Sequence, residues 1–259
     1  MVSEPLVSII TPSYNQAEFL TATINSVLDQ DYPRIEYIIV DGGSSDGSVE
    51  IIKEYQDRIF WWVSEKDQGQ TDAINKGFER ASGELFAWIN SDDVLRPQAV
   101  SEAVKFMSEN PEVGLVYGDL NFIDQNGVTV GSFNAKQTSY KKLRRGWVHI
   151  PQPAAFWRAD LWKKIGSLDP SLFFAMDYDL WIKLASLAPV HYHEGSLWAD
   201  FRIHGGSKTI TADKQCWEEM LQIHRRDGGS WFSMLVAKYW IRKLVGPLWR
   251  WVKQRKYNV

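Results

Sequence analysis

The chain has 259 residues, 44% of them hydrophobic, and a formal net charge of −3 at pH 7. This length suits one sizeable α/β domain with a buried core, and the near-neutral charge argues against a nucleic-acid-binding protein. Its single cysteine, Cys216, excludes an intramolecular disulfide and a cysteine-based metal cage. No signal peptide is expected, and no apolar run approaches the roughly 20 residues of a membrane-spanning helix.

Short apolar runs alternate with amphipathic segments through the first half of the chain. A helix is predicted from Ala17 to Leu28, with Asn15 and Glu18 at capping-box spacing. Strands buried on both faces and separated by helices predict a mainly parallel, doubly wound sheet with helices on both faces. Ligands bind such sheets beyond the carboxyl ends of the strands, so the polar clusters there should share one crevice. The predicted strands are Leu6–Thr11, Ile35–Asp41, Ile59–Ser64 and Leu85–Asn90.

The second half of the domain has a less regular pattern. The segment Asn121–Phe133 predicts a hairpin that turns at Asn126-Gly127, and Ala154–Arg158 predicts a further strand. Residues 134–150 form a basic, loop-like segment, whereas Asp177–Leu187 predicts a helix with an apolar face. We therefore expect one domain over residues 1–229.

Residues 230–259 differ in composition from the rest of the chain. They contain seven lysine and arginine residues, no acidic residue and four tryptophans, and Gly246-Pro247 divides them into two predicted helical halves. Basic side chains attract anionic headgroups, and tryptophan favours the boundary between water and lipid. The pattern predicts an amphipathic helical tail that adsorbs to a membrane; the alternative is a helical hairpin that covers an oligomer interface.

An acidic pair, Asp92-Asp93, directly follows the fourth predicted strand. Adjacent carboxylates repel one another unless a cation neutralises them, and Mg²⁺ or Mn²⁺ readily bridges a protein carboxylate to substrate phosphates. The alternative is that one of the two aspartates caps a helix that begins near Pro97. The pair is thus a candidate metal and diphosphate site.

Two further loops carry polar residues toward the same edge of the predicted sheet. Asp41 ends the second strand ahead of a glycine-rich turn, and its carboxylate suits hydrogen bonding to a pyrimidine imide. Asp46 and Ser48 are expected to cap the next helix. The loop Asp67-Gln68-Gly69 precedes a helix, where free backbone N–H groups favour phosphate.

The order of these motifs resembles that of the family 2 glycosyltransferases, which are metal-dependent inverting enzymes with the GT-A fold. The resemblance covers about residues 5–205, and implies a nucleotide-binding half over about 1–118 and an acceptor half over about 119–229. Family members often carry two aspartates where this chain has Asp41-Gly42. The matching segments are Thr11-Pro12-Ser13-Tyr14-Asn15, Asp41 to Gly47, Asp67-Gln68-Gly69 with Asn75-Lys76-Gly77, and Asn90-Ser91-Asp92-Asp93.

The resemblance implies roles for individual residues on the donor side. Asp92 would approach the ribose or sugar, and Asp93 would bind the metal, with Mn²⁺ or Mg²⁺ as the expected ion. His204, in a late motif that runs from Arg202 to Ser207, would be a further metal or diphosphate ligand; its alternative is a structural histidine. The nucleoside pocket would be lined by Thr11, Pro12, Tyr14, Asp41, Asp67 and Gly69.

The resemblance also implies a catalytic base at the start of a helix. In this chain Met176 replaces the glutamate that often precedes that aspartate, and Asp177 is the first choice for the base. Asp179 is the second choice, and a helix-capping role for Asp177 is the alternative. An inverting transfer needs one such base to deprotonate the attacking hydroxyl. On the acceptor side, Trp157 is either a stacking platform for a sugar or a core residue.

The expected protein is an enzyme that moves a sugar from a nucleotide-diphosphate donor, with a UDP-sugar as first choice. The acceptor would be a saccharide or a polyprenyl-linked saccharide, in the synthesis of a surface polysaccharide or glycolipid. It would work on the cytoplasmic face of a bacterial membrane, and a homo-oligomer is left open. One alternative is a sugar-nucleotide nucleotidyltransferase, although those enzymes usually carry a glycine-rich, basic loop after the first strand. Another is a non-catalytic carbohydrate- or membrane-binding module.

Overall fold

A computed structural model describes residues 4–207, 213–241 and 243. Nine strands in these residues form one sheet, in the order β3-β2-β1-β4-β8-β6-β9-β5, with β7 paired to β6. The strands are β1 (Val7–Ser13), β2 (Ile35–Asp41), β3 (Trp61–Ser64), β4 (Leu85–Trp88), β5 (Val94–Leu95), β6 (Leu115–Ile123), β7 (Thr129–Phe133), β8 (Ala155–Arg158) and β9 (Val190–Arg202).

Helices separate most of these strands. A short 3-10 helix, Gln152–Ala154, leads into β8, and residues 234–241 are also helical. The α-helices are α1 (Ala17–Leu28), α2 (Ser48–Glu54), α3 (Gln70–Arg80), α4 (Ala99–Glu109), α5 (Tyr140–Leu143), α6 (Ala159–Ile165), α7 (Met176–Leu187) and α8 (Asp213–Arg226).

The sheet has a parallel half and a mixed half. Strands β1 to β4 pair in parallel, as the alternation of strands and helices predicts. Strand β8 then runs antiparallel between β4 and β6, whereas β6 and β9 are parallel. The carboxyl ends of β1, β2, β3 and β4 therefore lie at one edge, which confirms the expected convergence of their loops.

Alternate residues of the parallel strands fill two separate layers of core. On β1, Ile9 faces α1, α2 and α4, whereas Ile10 faces α3, α6 and α7. Gly77 lets α3 lie directly on β1, because a Cβ atom there would come within 2.5 Å of Ile10. Helices thus cover both faces of the sheet, as expected.

Several local expectations need correction. Asn15 does not cap α1; it has a positive φ of 51°, and its side-chain oxygen accepts a hydrogen bond from the N–H of Ser45. Asp46 instead caps the starts of both α1 and α2, with bonds from the N–H groups of Ala17 and Ser48. The hairpin turn at Asn126-Gly127 is confirmed.

The predicted boundary between residues 229 and 230 does not separate two packing units. Leu235 and Val236 are buried in the same core as α7 and α8, and Leu235 packs against Gly146. The segment 230–241 is therefore joined to the domain by its apolar face. The remaining part of the predicted tail, residue 242 and residues 244–259, lies outside the described residues.

Candidate active site

Hydrogen bonds between loops build the donor side of the crevice. The N–H of Asn15, after β1, donates to Ser44 Oγ at 2.8 Å, and the Oγ of Ser64, at the end of β3, donates to Asp41 Oδ2 at 2.6 Å. Because these strands are neighbours and parallel, their last residues bring the loops within bonding distance. The loops after three successive strands are thus fixed to one another.

The carboxylate of Asp41 is buried and fully engaged. It accepts hydrogen bonds from the N–H groups of Gly43 and Ser44 and from the hydroxyls of Ser44 and Ser64. A carboxylate offers about four lone-pair sites, so the expected bond to a pyrimidine imide would have to displace one of these partners. In this arrangement Asp41 shapes the glycine-rich turn.

Asp67 and Gly69 lie beside that turn, at the start of α3. The N–H of Gly69 donates to Asp67 Oδ1 at 2.8 Å, and burial raises the pKa of Asp67. A Cβ on Gly42 would stand 2.7 Å from Asp67 Oδ2. The glycine in the Asp41-Gly42 pair therefore makes room for the carboxylate of the next loop.

The other expected nucleoside contacts differ in accessibility. Tyr14 is 62% exposed at the end of β1 and is free to meet a ligand. Thr11 is fully buried, and its hydroxyl lies 3.0 Å from the hydroxyl of Tyr37. Pro12 is also buried. The Thr11 side chain therefore lies inside the protein, and the expected contact of Thr11 with the nucleoside stays a prediction.

The two aspartates of the acidic pair occupy different environments. Asp93 is fully buried; its Oδ1 accepts from the N–H of Arg202 at 2.9 Å, and its Oδ2 accepts from the amide of Asn90 at 3.1 Å. Burial, with the charge of Asp92 second, raises the pKa of Asp93 well above its usual range. Asp92 retains partial exposure, and its Oδ2 lies 3.0 Å from Nε2 of His204.

Arg202, at the end of β9, holds this acidic pair in place. Besides its N–H bond to Asp93, its Nε donates to the carbonyl of Asp92 at 2.8 Å. Its guanidinium also donates to the carbonyl of Asp124 in the β6–β7 turn and lies 4.9 Å from the ring centre of Phe19. The sequence motif contained Arg202, but only the fold shows that it anchors the pair.

Three side-chain amides connect the acidic pair to the start of α3 and to the 3-10 helix before β8. The amide nitrogen of Gln70 donates to Asn90 Oδ1 at 2.7 Å, and Asn90 Nδ2 lies 3.1 Å from Gln152 Oε1. Gln152 in turn donates to the carbonyl of Trp88. Sequence reasoning assigned no role to Gln70, which directly follows Gly69, or to Gln152, because an amide in a loop gives no sign of its hydrogen-bond partner.

Asp177 lies in the first turn of α7 and is partly buried. Burial raises its pKa to about 6, against the lowering effect of hydrogen bonds from the N–H groups of Tyr178 and of Asp177 itself. Thr71, in the first turn of α3, donates to the carbonyl of Leu172 and contacts Met176 Sδ at 3.3 Å. These contacts hold the start of α7 against the start of α3.

The second choice for the base, Asp179, is fully buried between two cations. It forms ion pairs with Lys183, at 2.8 Å, and with Arg226 of α8. A carboxylate so placed is shielded from an incoming hydroxyl, so the structure favours Asp177.

Trp157 does not reach the crevice. Its side chain is fully buried in β8 and contacts the rings of Phe78, Trp88 and Trp181. The expectation that Trp157 stacks on an acceptor sugar is therefore wrong, and the core alternative is correct. The alternating pattern of a strand gave no means to tell which layer this side chain would enter.

The side chains of Asp92 and His204 could bind a divalent ion together with the phosphates of the substrate. In the described parts of the chain, no group of three or more His, Cys, Asp or Glu side chains is arranged to hold a metal. Asp92 and His204 supply one oxygen and one nitrogen, a set that suits Mn²⁺ better than Mg²⁺. The remaining coordination positions would fall to diphosphate oxygens.

The fold and the acidic crevice define the class of protein as a glycosyltransferase with the GT-A fold. The chain belongs to glycosyl transferase family 2, whose model matches residues 8–164. Family membership sets aside the nucleotidyltransferase alternative.

Relatives with assigned names are also glycosyltransferases. An uncharacterized glycosyltransferase of Rickettsia felis is 33% identical over 224 residues, which cover 80% of this chain and 36% of the relative. The chain thus spans about a third of the length of that protein. TuaG of Bacillus subtilis, a glycosyltransferase assigned to teichuronic acid biosynthesis, is 27% identical over 93% of this chain and 98% of its own.

Solved structures agree on the fold. Staphylococcus aureus TarS, residues 1–349 in complex with UDP-GlcNAc, superposes with a TM-score of 0.67 and 20% identity, over 84% of this chain and 65% of that one. The mannosyltransferase PcManGT of Pyrobaculum calidifontis, in complex with GDP-Man and Mn²⁺, gives a TM-score of 0.69 and 17% identity, over 93% and 71%.

Proposed function

We propose that this protein catalyses the metal-dependent, inverting transfer of a sugar from a nucleotide-diphosphate donor to a hydroxyl of a saccharide or lipid-linked saccharide. One observation carries the proposal: a carboxylate with a raised pKa, Asp177, lies at a helix start that is bonded to the donor-side helix through Thr71. A UDP-sugar is the first choice of donor. The UDP-GlcNAc bound to TarS supports that choice, while the GDP-Man bound to PcManGT keeps a GDP-sugar as second choice.

For the metal we propose Asp92 and His204 as the protein ligands, with Asp93 as the residue that positions them. This assignment differs from the roles that the family resemblance implied, in which Asp93 binds the metal and Asp92 approaches the ribose or sugar. Asp92 contacts His204 and is partly exposed, whereas both carboxylate oxygens of Asp93 are bonded within the protein. The ion, when bound, would neutralise charge that develops on the departing diphosphate.

In the transfer itself, Asp177 would accept the proton of the acceptor hydroxyl as that oxygen attacks the anomeric carbon. The carbon–oxygen bond to the diphosphate breaks on the opposite face, and the nucleoside diphosphate leaves. A pKa of about 6 leaves the carboxylate largely ionised at neutral pH, yet more basic than an ordinary aspartate. The remaining loops would bind the donor through Tyr14, Asp67 and Gly69.

The donor and metal assignments are tested by calorimetry with UDP, GDP and dTDP, each with and without Mn²⁺. We expect UDP to bind most tightly and to need the ion. Equal binding of all three nucleotides would contradict the donor assignment, and binding unchanged by chelation would contradict the metal. Donor hydrolysis at the background rate with every acceptor tried would favour the non-catalytic alternative.

We also propose that the chain adsorbs to an anionic membrane surface on the cytoplasmic side through its C-terminal segment, which would bring it to a lipid-linked acceptor. Phe232 is fully exposed, and Trp231 and Trp240 are at least half exposed. Arg225 and Lys243 lie over the rings of those two tryptophans. Apolar side chains flanked by cations suit the interface of an anionic bilayer. No helix in the described ranges is long and apolar enough to span one.

The membrane proposal needs a test that spares the core. Deletion from residue 230 would remove the buried Leu235 and Val236, so we choose the double substitution Trp231→Ser and Phe232→Ser. We expect it to reduce sedimentation with vesicles of phosphatidylglycerol. The control Phe60→Ser changes an aromatic residue that is 62% exposed after α2. Sedimentation unaffected by the double substitution would contradict the proposal.

A further inference from the structure

A buried carboxylate from α8 closes the start of the helix that carries Asp177. Glu219 is 6% exposed, and its oxygens accept hydrogen bonds from the N–H groups of three consecutive residues. The distances are 3.1 Å for Phe173, 2.7 Å for Phe174 and 2.9 Å for Ala175. These residues directly precede α7, whose own N-cap residue, Ala175, has no side chain able to accept such a bond.

The contact between Glu219 and residues 173–175 has two effects on the start of α7: it pairs backbone N–H groups, and it places a negative charge there. Unpaired N–H groups give a helix start a partial positive charge, which favours the ionised form of a nearby carboxylate. Glu219 satisfies the N–H groups just ahead of α7 and places a negative charge there. Since like charges disfavour ionisation, Glu219 adds to the effect of burial, the larger cause, in raising the pKa of Asp177.

The other charged groups around α7 form a cluster of ion pairs, in which Arg226 also pairs with Asp227. Hydrogen bonds from Ser171, followed by the charges of Lys183 and Arg226, lower the pKa of Asp169. Asp179 is paired with Lys183 on its own helix and with Arg226 of α8. The negative charge of Glu219, by contrast, acts on Asp177 and raises its pKa, after burial as the larger cause. Helix α8 thus contacts the start of α7 at two points: Arg226 pairs with Asp179 in the first turn, and Glu219 accepts from the N–H groups of the residues just ahead of the helix.

We propose that Glu219 is a positioning residue for the catalytic base: its carboxylate fixes residues 173–175 and sets the electrostatic environment in which Asp177 accepts a proton. The inference rests on the proposed role of Asp177. Glu219 itself does not touch substrate, because its oxygens are turned to the backbone ahead of α7.

The test is the pH profile of kcat/KM for the full chain and for Glu219→Gln, which keeps the shape of the side chain and removes its charge. We expect the acid limb, near pH 6 in the unmodified protein, to move to lower pH. The plateau value of kcat should fall severalfold, because a less basic carboxylate is a weaker proton acceptor. The KM for the donor should stay unchanged.

The matched control is Glu36→Gln. Glu36 is 3% exposed and also accepts a backbone bond, from the N–H of Ser82, but it lies near the opposite, amino-terminal ends of the strands. We expect Glu36→Gln to lower the melting temperature and to leave the acid limb in place. If Glu219→Gln does the same, Glu219 only supports the fold and the inference is overturned.

Two further variants keep the outcome decisive. If Glu219→Gln does not fold, Glu219→Asp takes its place, because it retains the charge but shortens the side chain. We expect it to lower kcat and to leave the acid limb in place. An unchanged kcat would overturn the inference. Asp177→Asn separates the two proposals. Activity retained in that variant refutes both, whereas activity lost there with an unmoved limb in Glu219→Gln refutes only the role of Glu219.

Discussion

The donor side and the base side of the crevice are held together by contacts of different range. On the donor side, Asn15, Ser44 and Ser64 join loops that follow neighbouring strands, about 30 residues or fewer apart in the chain. On the base side, α7 is held by Glu219 and Arg226, more than 40 residues away. The donor side is therefore a local product of parallel strand order, while the base side depends on a helix that follows the whole sheet.

The largest effect is expected from the base. Asp177→Asn should lower turnover by roughly 10²–10⁴-fold, the usual contribution of a positioned base, and leave donor affinity near normal. Steady-state kinetics with calorimetry measures both quantities. Asp179→Asn is the control, since it breaks a buried ion-pair cluster and should mainly reduce thermal stability. An equal loss of turnover in a well-folded Asp179→Asn would move the base to that residue.

The next largest effect is a loss of stability, expected from a change at Trp157 in the core that α3 and α7 cover. Trp157→Ala should lower the free energy of unfolding by about 3–5 kcal/mol, because it opens a cavity among Phe78, Trp88 and Trp181. Denaturant unfolding measures this loss, and Trp157→Phe should lose less. The acceptor KM of the folded fraction should not change. A raised KM without loss of stability would restore the stacking role that the structure rejects.

The proposed metal ligands of the donor side should give a smaller, more selective effect. Asp92→Asn or His204→Ala should remove the Mn²⁺ dependence of UDP binding. Asp93→Asn should weaken that binding by roughly 10–100-fold and keep its dependence on the ion, as for a residue that orients ligands. Titration of UDP at several Mn²⁺ concentrations separates these cases. The reverse result would return metal ligation to Asp93.

The smallest effect is expected at the donor loop. Gly42→Ala places a methyl group against Asp67 and should cost about 1–3 kcal/mol, expressed as lower stability or as a shifted loop with weaker UDP binding. Gly131→Ala is the control, because its Cβ would meet only Phe122 at an ordinary 3.6 Å. If UDP affinity and melting temperature match those of the control, the Asp67 side chain moves aside without measurable cost, and the prediction is wrong.

The donor half could be predicted because its signals are local. Apolar strands alternate with helices up to β4, and Asp41, Asp67 and the acidic pair each follow a strand end, so their convergence follows from parallel order. The different environments of Asp92 and Asp93 could not be predicted, since the burial of Asp93 involves a bond from Arg202, 109 residues further along the chain. Strand β9 was missed because its pairing with β6 and β5, rather than a local period, defines it.

Trp157 shows a second limit of sequence reasoning. A tryptophan in a strand is more often a core residue than a ligand platform, but only the tertiary contacts, such as the ring contact with Trp181 of α7, decide between the two. Glu219 shows a third. A glutamate on an amphipathic helix is normally expected to be solvated, and only the tertiary structure shows that Glu219 binds the N–H groups of residues 173–175.

The packing of Leu235 against Gly146 joins the C-terminal segment to the core of the domain, so we expect the two to unfold together. Tyr178, the neighbour of Asp177, donates to the carbonyl of Leu143, and the loop after Leu143 contains Gly146. By mass action, any ligand that binds the folded 231–241 surface and not the unfolded chain raises the melting temperature of the whole domain. Protease resistance of the helix that carries Asp177 should therefore rise when that distant surface is occupied.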